Sequence, residues 1–279
     1  MTRDDRILPA MRWLITPLAI LSTIFGPILY FLPDRTDTLF AWTIVPPMSA
    51  VFIGASYIFG GLTIWHLLRN GRWHPMRVSL PGTLAFGTAM LGATLLHLDR
   101  FHHGSILFYG WFAVYVVTPI LLPAVYLRNQ RRDPGPQPGD LLVPRAVRAV
   151  LLAVGIGYSA LGVGLFVVPE AFASIWPWQL TPLVGRVIGG WLLLFGVGAA
   201  LAWIEPRWTA FRTLVQDAMV WLALLLIGSL LHTGDFDFSR PMTIVWFVGI
   251  AGALVGTAAY YLWNERLRRA AATVTPAEA

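Results

Sequence analysis

Two short segments carry most of the side chains that could do chemistry. They are HLDRFHH, from His97 to His103, and HTGDFDF, from His232 to Phe238. Each begins directly after a Leu-Leu pair, and together they supply His97, His102, His103, His232, Asp99, Asp235 and Asp237. Imidazole and carboxylate both suit divalent metals. Two neutral imidazoles at His97 and His232, facing each other, could also hold a haem iron axially. No HExxH or other defined ligand spacing accompanies them. A histidine in the last turn of a helix also caps free carbonyls and meets the negative end of the helix dipole, with no ligand needed.

Two further ionisable groups fall inside apolar runs, where such groups are costly and mark functional sites by default. Asp217, beside Gln216, reads as a proton or cation site about five residues into its helix. The structural alternative is a clamp to Arg212 or another nearby arginine. Arg186 reads as a site capturing an anion or a substrate carboxylate; its structural alternatives are snorkelling and pairing with Glu170. His66 and His74 flank the end of the second apolar run and read as surface-facing structural residues.

Composition removes several reaction classes. The chain has no cysteine, so it has no disulfide, thiolate metal site or cysteine nucleophile. Its twenty basic residues are all arginine, which excludes Schiff-base lysines and a P-loop lysine. No Gly-x-Ser-x-Gly elbow occurs, no Gly-rich phosphate loop, and no carboxylate pair arranged for hydrolysis. The pairs Gly60-Gly61 and Gly189-Gly190 are apolar-helix glycines, not nucleotide fingerprints.

The elements that must position these groups are membrane helices. Of 279 residues, 57 % are hydrophobic and 12 % charged, whereas soluble domains carry about a quarter charged. Eight apolar runs are long enough to span a bilayer: 11–32, 46–68, 79–98, 105–127, 146–168, 182–204, 211–231 and 241–263. The first lacks a small-residue cleavage site and reads as a mature helix, not a signal peptide. One set of connecting segments holds Arg3, Arg6, Arg12, Arg69, Arg72, Arg77, Arg128, Arg131, Arg132, Arg145, Arg148, Arg207, Arg212, Arg266, Arg268 and Arg269. The other set holds only Arg35, Arg100 and Arg240. This asymmetry predicts both termini in the cytoplasm. The net charge of +6 thus reflects topology and not nucleic acid; the expected partners are the lipid bilayer and a membrane protein.

The chain also contains itself twice. Residues 26–60 and 162–196 coincide without a gap at Gly26/Gly162, Leu29/Leu165, Pro33/Pro169, Trp42/Trp178, Pro46/Pro182, Val51/Val187, Gly54/Gly190, Phe59/Phe195 and Gly60/Gly196. At an offset of 135, LLHLDRF matches LLHTGDF, Trp111-Phe112 matches Trp246-Phe247, and Tyr126-Leu127 matches Tyr261-Leu262. The expected fold is all-α and integral to the membrane, with eight transmembrane helices in two parallel four-helix repeats, 1–128 and 145–279. A Pro/Gly linker, 129–144, joins them in extended form. Four helices per half make the repeats parallel, related by a pseudo-twofold along the membrane normal. The segments DRTDTLFAWTIV and EAFASIWPWQLT, which follow Pro33 and Pro169, read as interfacial, with Trp42, Trp176 and Trp178 at headgroup level. The stretch FAWTIVPPMSAVFIGASY, Phe40 to Tyr57, resembles segments of uncharacterised multi-pass bacterial membrane proteins of actinobacterial type. That resemblance covers mainly this stretch, implies the plasma membrane of a bacterium as the expected location, and implies no activity.

The functional expectation is a non-enzymatic permease for a small solute or ion, with Asp217 and Arg186 as its asymmetric polar groups. A haem- or metal-binding redox subunit and a scaffold subunit are the alternatives. A permease predicts a water-filled cavity reaching Asp217, a redox subunit a coloured purified protein, and a scaffold a broad apolar lateral face with no internal cavity.

Overall fold

The computed structural model describes residues 4–131, 133–136 and 140–274, with side chains to residue 270. Arg3, Arg132, residues 137–139 of the linker and residues 275–279 lie outside the described residues. The helices in order are α1 (Pro9–Phe31), α2 (Thr36–Leu39), α3 (Pro47–Asn70), α4 (Trp73–Leu96), α5 (Ile106–Gln130), α6 (Arg145–Val167), α7 (Pro169–Ala173), α8 (Pro182–Ala200), α9 (Trp208–Leu231) and α10 (Pro241–Val274). All except the short α2 and α7 are long and apolar enough to cross a membrane, so eight candidate spans are present. This is a multi-pass helical membrane protein by length and composition. We call the end of the bundle that holds the linker the linker end, and the end that holds α2 and α7 the loop end.

Local sequence explains where the helices begin and stop. Pro182 occupies the first turn of α8, and the Thr181 hydroxyl accepts a hydrogen bond from the Val184 N–H at 3.3 Å, so α8 is capped by its own residue. In α3, Pro46 stands at the corresponding place and provides no side-chain cap. There the Asp235 carboxylate, from the turn after α9, accepts from the Met48 N–H at 2.7 Å. Gly71 ends α3 in the left-handed conformation, φ 68°, which a residue without a Cβ adopts cheaply. That tight turn starts α4 at Trp73, six residues before the apolar run at 79, and brings His74 and Arg77 inside a helix.

Burial follows the packing. α3 and α8 form the centre, while α6 and α10 are the least enclosed. α1 lies along α3, α6 along α8, α4 against α8, and α3 against α9. Gly162 and Gly189 let α6 and α8 approach until a Cβ on either would meet the other's carbonyl oxygen at 2.6–2.7 Å.

The loop end departs from expectation. Trp42, Trp176 and Trp178 are buried in protein, at 1 %, 7 % and 0 % exposure, and do not face a headgroup layer. Trp42 packs on Phe40, Phe101 and Trp111. Trp178 packs on Phe236 and Trp246 and donates its indole N–H to the Ser49 hydroxyl at 2.9 Å. The outer segments fold back over the bundle because the aromatic surface gains more by burial against other rings than by half-immersion. The short helices α2 and α7 form at the start of these segments.

The linker end is held by charges. Arg207 donates from Nε to Glu205 at 2.7 Å, and Arg77 from Nη1 to Asp133 at 2.8 Å and to Glu205 at 3.4 Å. Burial alone would ease the proton off Arg207, but the Glu205 hydrogen bonds outweigh it and raise the guanidinium above its usual range. Asp5 accepts from the His74 backbone N–H at 2.9 Å and pairs with its ring. Burial works against ionisation of Asp5, yet the bonds and charge of His74 hold it below the usual carboxylate range. α5 runs on through Gln130, so the linker opens as helix before the non-helical residues 133–136.

Candidate functional site

A cavity of about 570 Å³ lies between α3, α8 and their neighbours and is lined from both halves of the chain. Phe59 and Phe195 face each other in it, with ring centroids 5.2 Å apart. Two tilted ring pairs extend its wall: Phe86 on Trp191 with centroids 4.1 Å apart, and Phe195 on Trp221 at 4.2 Å. The buried hydroxyls of Tyr57 and Tyr115 bond to each other at 2.7 Å beside these rings. Among the described residues, none of the cavity's lining side chains is Arg, Asp, Glu or His. Such a wall suits a neutral, largely apolar molecule, because a bare ion there would lose its hydration shell with nothing to replace it.

The cavity is apolar, not water-filled as a permease was expected to require, and Asp217 does not line it but stands behind Thr63, which does. Asp217 is the tenth residue of α9, not about the fifth, because the helix begins at Trp208. Its side chain is 2 % exposed. The partner is not Arg212, which binds Glu265 on α10 at 2.7 Å. Instead, His66 Nδ1 lies 3.0 Å from Oδ1, and the Thr63 hydroxyl donates to Oδ2 at 3.0 Å. Both partners are on α3, so the carboxylate joins α9 to α3. Thr63 lines the cavity, and the His66 side chain is 45 % exposed. Sequence reading took His66 for a surface residue because nothing in the chain order relates positions 66 and 217. The signal available was that a buried carboxylate needs a partner.

Arg186 lies one turn into α8 as expected, but its partner is His97, not Glu170. Its Nη1 donates to His97 Nε2 at 2.8 Å, which fixes that imidazole as neutral with its proton on Nδ1. Burial and then the Arg186 charge push the His97 ring below its usual value. The two residues assigned to separate sites therefore meet, across α4 and α8.

The remaining outer residues serve their own loops. His102 bonds the Phe40 carbonyl and the Thr43 hydroxyl at 3.2 and 3.3 Å, and His103 bonds the Leu98 carbonyl at 2.7 Å. Asp99 pairs with Arg100 at the surface, and Asp235 caps α3. Asp237 accepts from the Ser239 and Arg240 side chains, which hold it below the usual carboxylate range. His232 is half-buried. Among the described residues, its ring has no hydrogen-bond partner, and the His97 ring bonds Arg186 and not a carbonyl. Among the described residues, no three His, Asp or Glu side chains gather in a group that could hold a metal.

No family model, no curated protein and no solved structure matches this chain. Its chemistry must therefore be argued from its own residues, and the resemblance of residues 40–57 brings no activity with it.

Proposed function

We propose that this is a permease for a small, neutral and largely apolar solute, built from two duplicated four-helix halves, with the central cavity as the solute site. The observation that carries the reading is the cavity wall itself: about 570 Å³ of space lined by aromatic and aliphatic side chains from both halves and by no charged group. A scaffold subunit would have no use for it. The same wall turns the earlier expectation of a solute or an ion toward the solute.

The duplication is supported by local features that recur at offsets of 136 and then 135. The isolated bridges Arg6 to Arg72 and Trp42 to Phe101 have counterparts in Leu142 to Arg207 and Trp178 to Phe236. The Trp111 indole bonds Thr94, and the Trp246 indole bonds Ser229. α1 and α6 coincide end to end, as do α4 and α9. Packing of α4 on α8 is mirrored by α9 on α3, as a pseudo-twofold would require. Phe59 touching its own counterpart Phe195 fits a cavity on that axis. We infer that residues 1–128 and 145–279 are the halves, that the arginine asymmetry puts the linker and both termini in the cytoplasm, and that the membrane is the plasma membrane of a bacterium.

The test uses the neutral fluorescent probe N-phenylnaphthylamine with protein in lipid nanodiscs. A Cβ at Gly60, on the cavity wall, would have its nearest neighbour at 3.8 Å, so Gly60→Trp fills the space without forcing helices apart. Saturable binding to the wild type, lost in G60W, and carrier-dependent probe flux across proteoliposomes are expected. Equal binding by G60W would remove the cavity as the solute site.

A further inference from the structure

We infer that the permease is proton-linked, through a relay running from the exposed ring of His66 to the buried Asp217 carboxylate and on to the Thr63 hydroxyl at the cavity wall. This rests on the cavity being the solute site and adds what drives it.

The relay is continuous. His66 offers a half-exposed ring at the linker end of α3, its Nδ1 lies 3.0 Å from Asp217 Oδ1, and Thr63 Oγ1 lies 3.0 Å from Oδ2. Among the described residues, Asp217 has no other hydrogen-bond or ion-pair partner. The other titratable or charged groups on the elements packed against α9 are engaged elsewhere or stand toward the linker end. On α9 itself, Arg212 is bound to Glu265 and Tyr261. On α4, His74 is bound to Asp5, and Arg77 to Asp133 and Glu205. On α10, Tyr261 accepts from Gln216, and Glu265 is shared with Arg268. Tyr260 on α10 and Arg69 on α3 make no contact with the carboxylate. A structural clamp gains nothing from an exposed titratable ring at one end and a hydroxyl on a solute cavity at the other; a proton path needs both.

The transfer balances. A hydronium ion gives a proton to His66 Nε2 and departs as water, while Nδ1 gives its own to Asp217 Oδ2, 3.3 Å away, so the ring changes tautomer and remains neutral. The carboxylate becomes a carboxylic acid and can now donate. Thr63, which donates to Oδ2 while the group is ionised, can then accept from it and turn its own hydrogen toward the solute. Protonation on one side of the wall thus changes the hydrogen bond offered on the other.

Infrared difference spectroscopy on the full chain in nanodiscs tests this. The expected signal is a carboxylic acid C=O band that Asp217→Asn removes. On transfer into heavy water, the wild-type band should exchange within the mixing time. His66→Gln, at a half-exposed position tolerant of change, should slow that exchange roughly a hundredfold, the low end of what a positioned acid–base group supplies. Thr63→Val should keep fast exchange but lose the band shift produced when N-phenylnaphthylamine enters the cavity. Absence of the band at every pH the protein tolerates, or unchanged exchange in H66Q, overturns the relay. The permease reading fails separately, if the probe never enters the cavity.

Discussion

Gly54 and Gly190 occupy equivalent sequence positions, yet alanine should affect them very differently. A Cβ on Gly54 would lie 2.5 Å from the Tyr30 nitrogen and 2.9 Å from the Gly26 oxygen and the Leu29 carbonyl carbon. All three are backbone atoms of α1, so no rotamer can relieve the clash. Ordinary contact begins at 3.4 Å, so α1 and α3 must part by about 0.9 Å locally, 3.4 less 2.5. A gap of that size forfeits a quarter to a half of each dispersion well along the seam, and overpacking costs about 1–3 kcal/mol or more. The gain in helix propensity, about 1 kcal/mol, offsets part of it. Gly54→Ala should therefore destabilise by about 2 kcal/mol. On Gly190 the close atom is the terminal methyl of Met90, with Ala89 Cβ next at 3.2 Å. A methionine end swings away at small cost, so Gly190→Ala should fall within about 0.5 kcal/mol of the wild type once propensity is counted. Reversible unfolding in mixed micelles, followed by far-UV circular dichroism, measures both. Equal losses would show that contact at this seam is not set by backbone approach.

Two further outcomes are expected. Glu205→Ala leaves Arg207, 4 % exposed at its side chain, with the Gly135 carbonyl at 3.1 Å and the Asp133 carboxylate at 3.6 Å; breaking a buried pair this way costs about 3–5 kcal/mol, and limited proteolysis near Pro134 should accelerate. The His97 ring is pushed below its usual value of 6.5, so the unfolded chain binds the proton more readily than the folded one. The stability this provides is present above about pH 6.5 and is lost as pH falls through and below that value; Arg186→Gln should flatten that part of the profile, and an unchanged slope would exclude Arg186 as a cause.

The helices were legible in sequence because a span needs only length and apolarity, which are local properties. All eight runs became helices, and Thr181-Pro182 marks the start of α8 as its residue types predict. What sequence misjudged depended on partners distant in the chain. Trp42 and Trp178 carry the composition of an interfacial belt, but Trp111 and Trp246 wait at the loop end to cover them. Asp217 and Arg186 were recognisable as costly groups, whereas their partners His66 and His97, 151 and 89 residues away, were not. The cavity was invisible for the same reason: it is space left between α3 and α8 and their neighbours, and no single segment encodes it.

The polar groups that matter most stand where the two halves differ. Counting by the offsets, Asp217 corresponds to Gly82, and Arg186 to Ala50. Gly82 is itself pressed against the Leu194 carbonyl, where a Cβ would lie at 2.5 Å, so that place in α4 has no room for a carboxylate. Gly82 thus stands at a tight helix crossing, while Asp217, at the matching sequence position, is a buried acid. The same division holds at the start of α3, which lacks the threonine cap of α8 and draws its cap from Asp235 in the other half. Each of these differences ties one half to the other: Asp217 to α3, Arg186 to the end of α4, Asp235 to Met48. On the proposed duplication, these asymmetric contacts favour a single pairing of the halves and leave the ionisable group on one side of the proposed solute cavity.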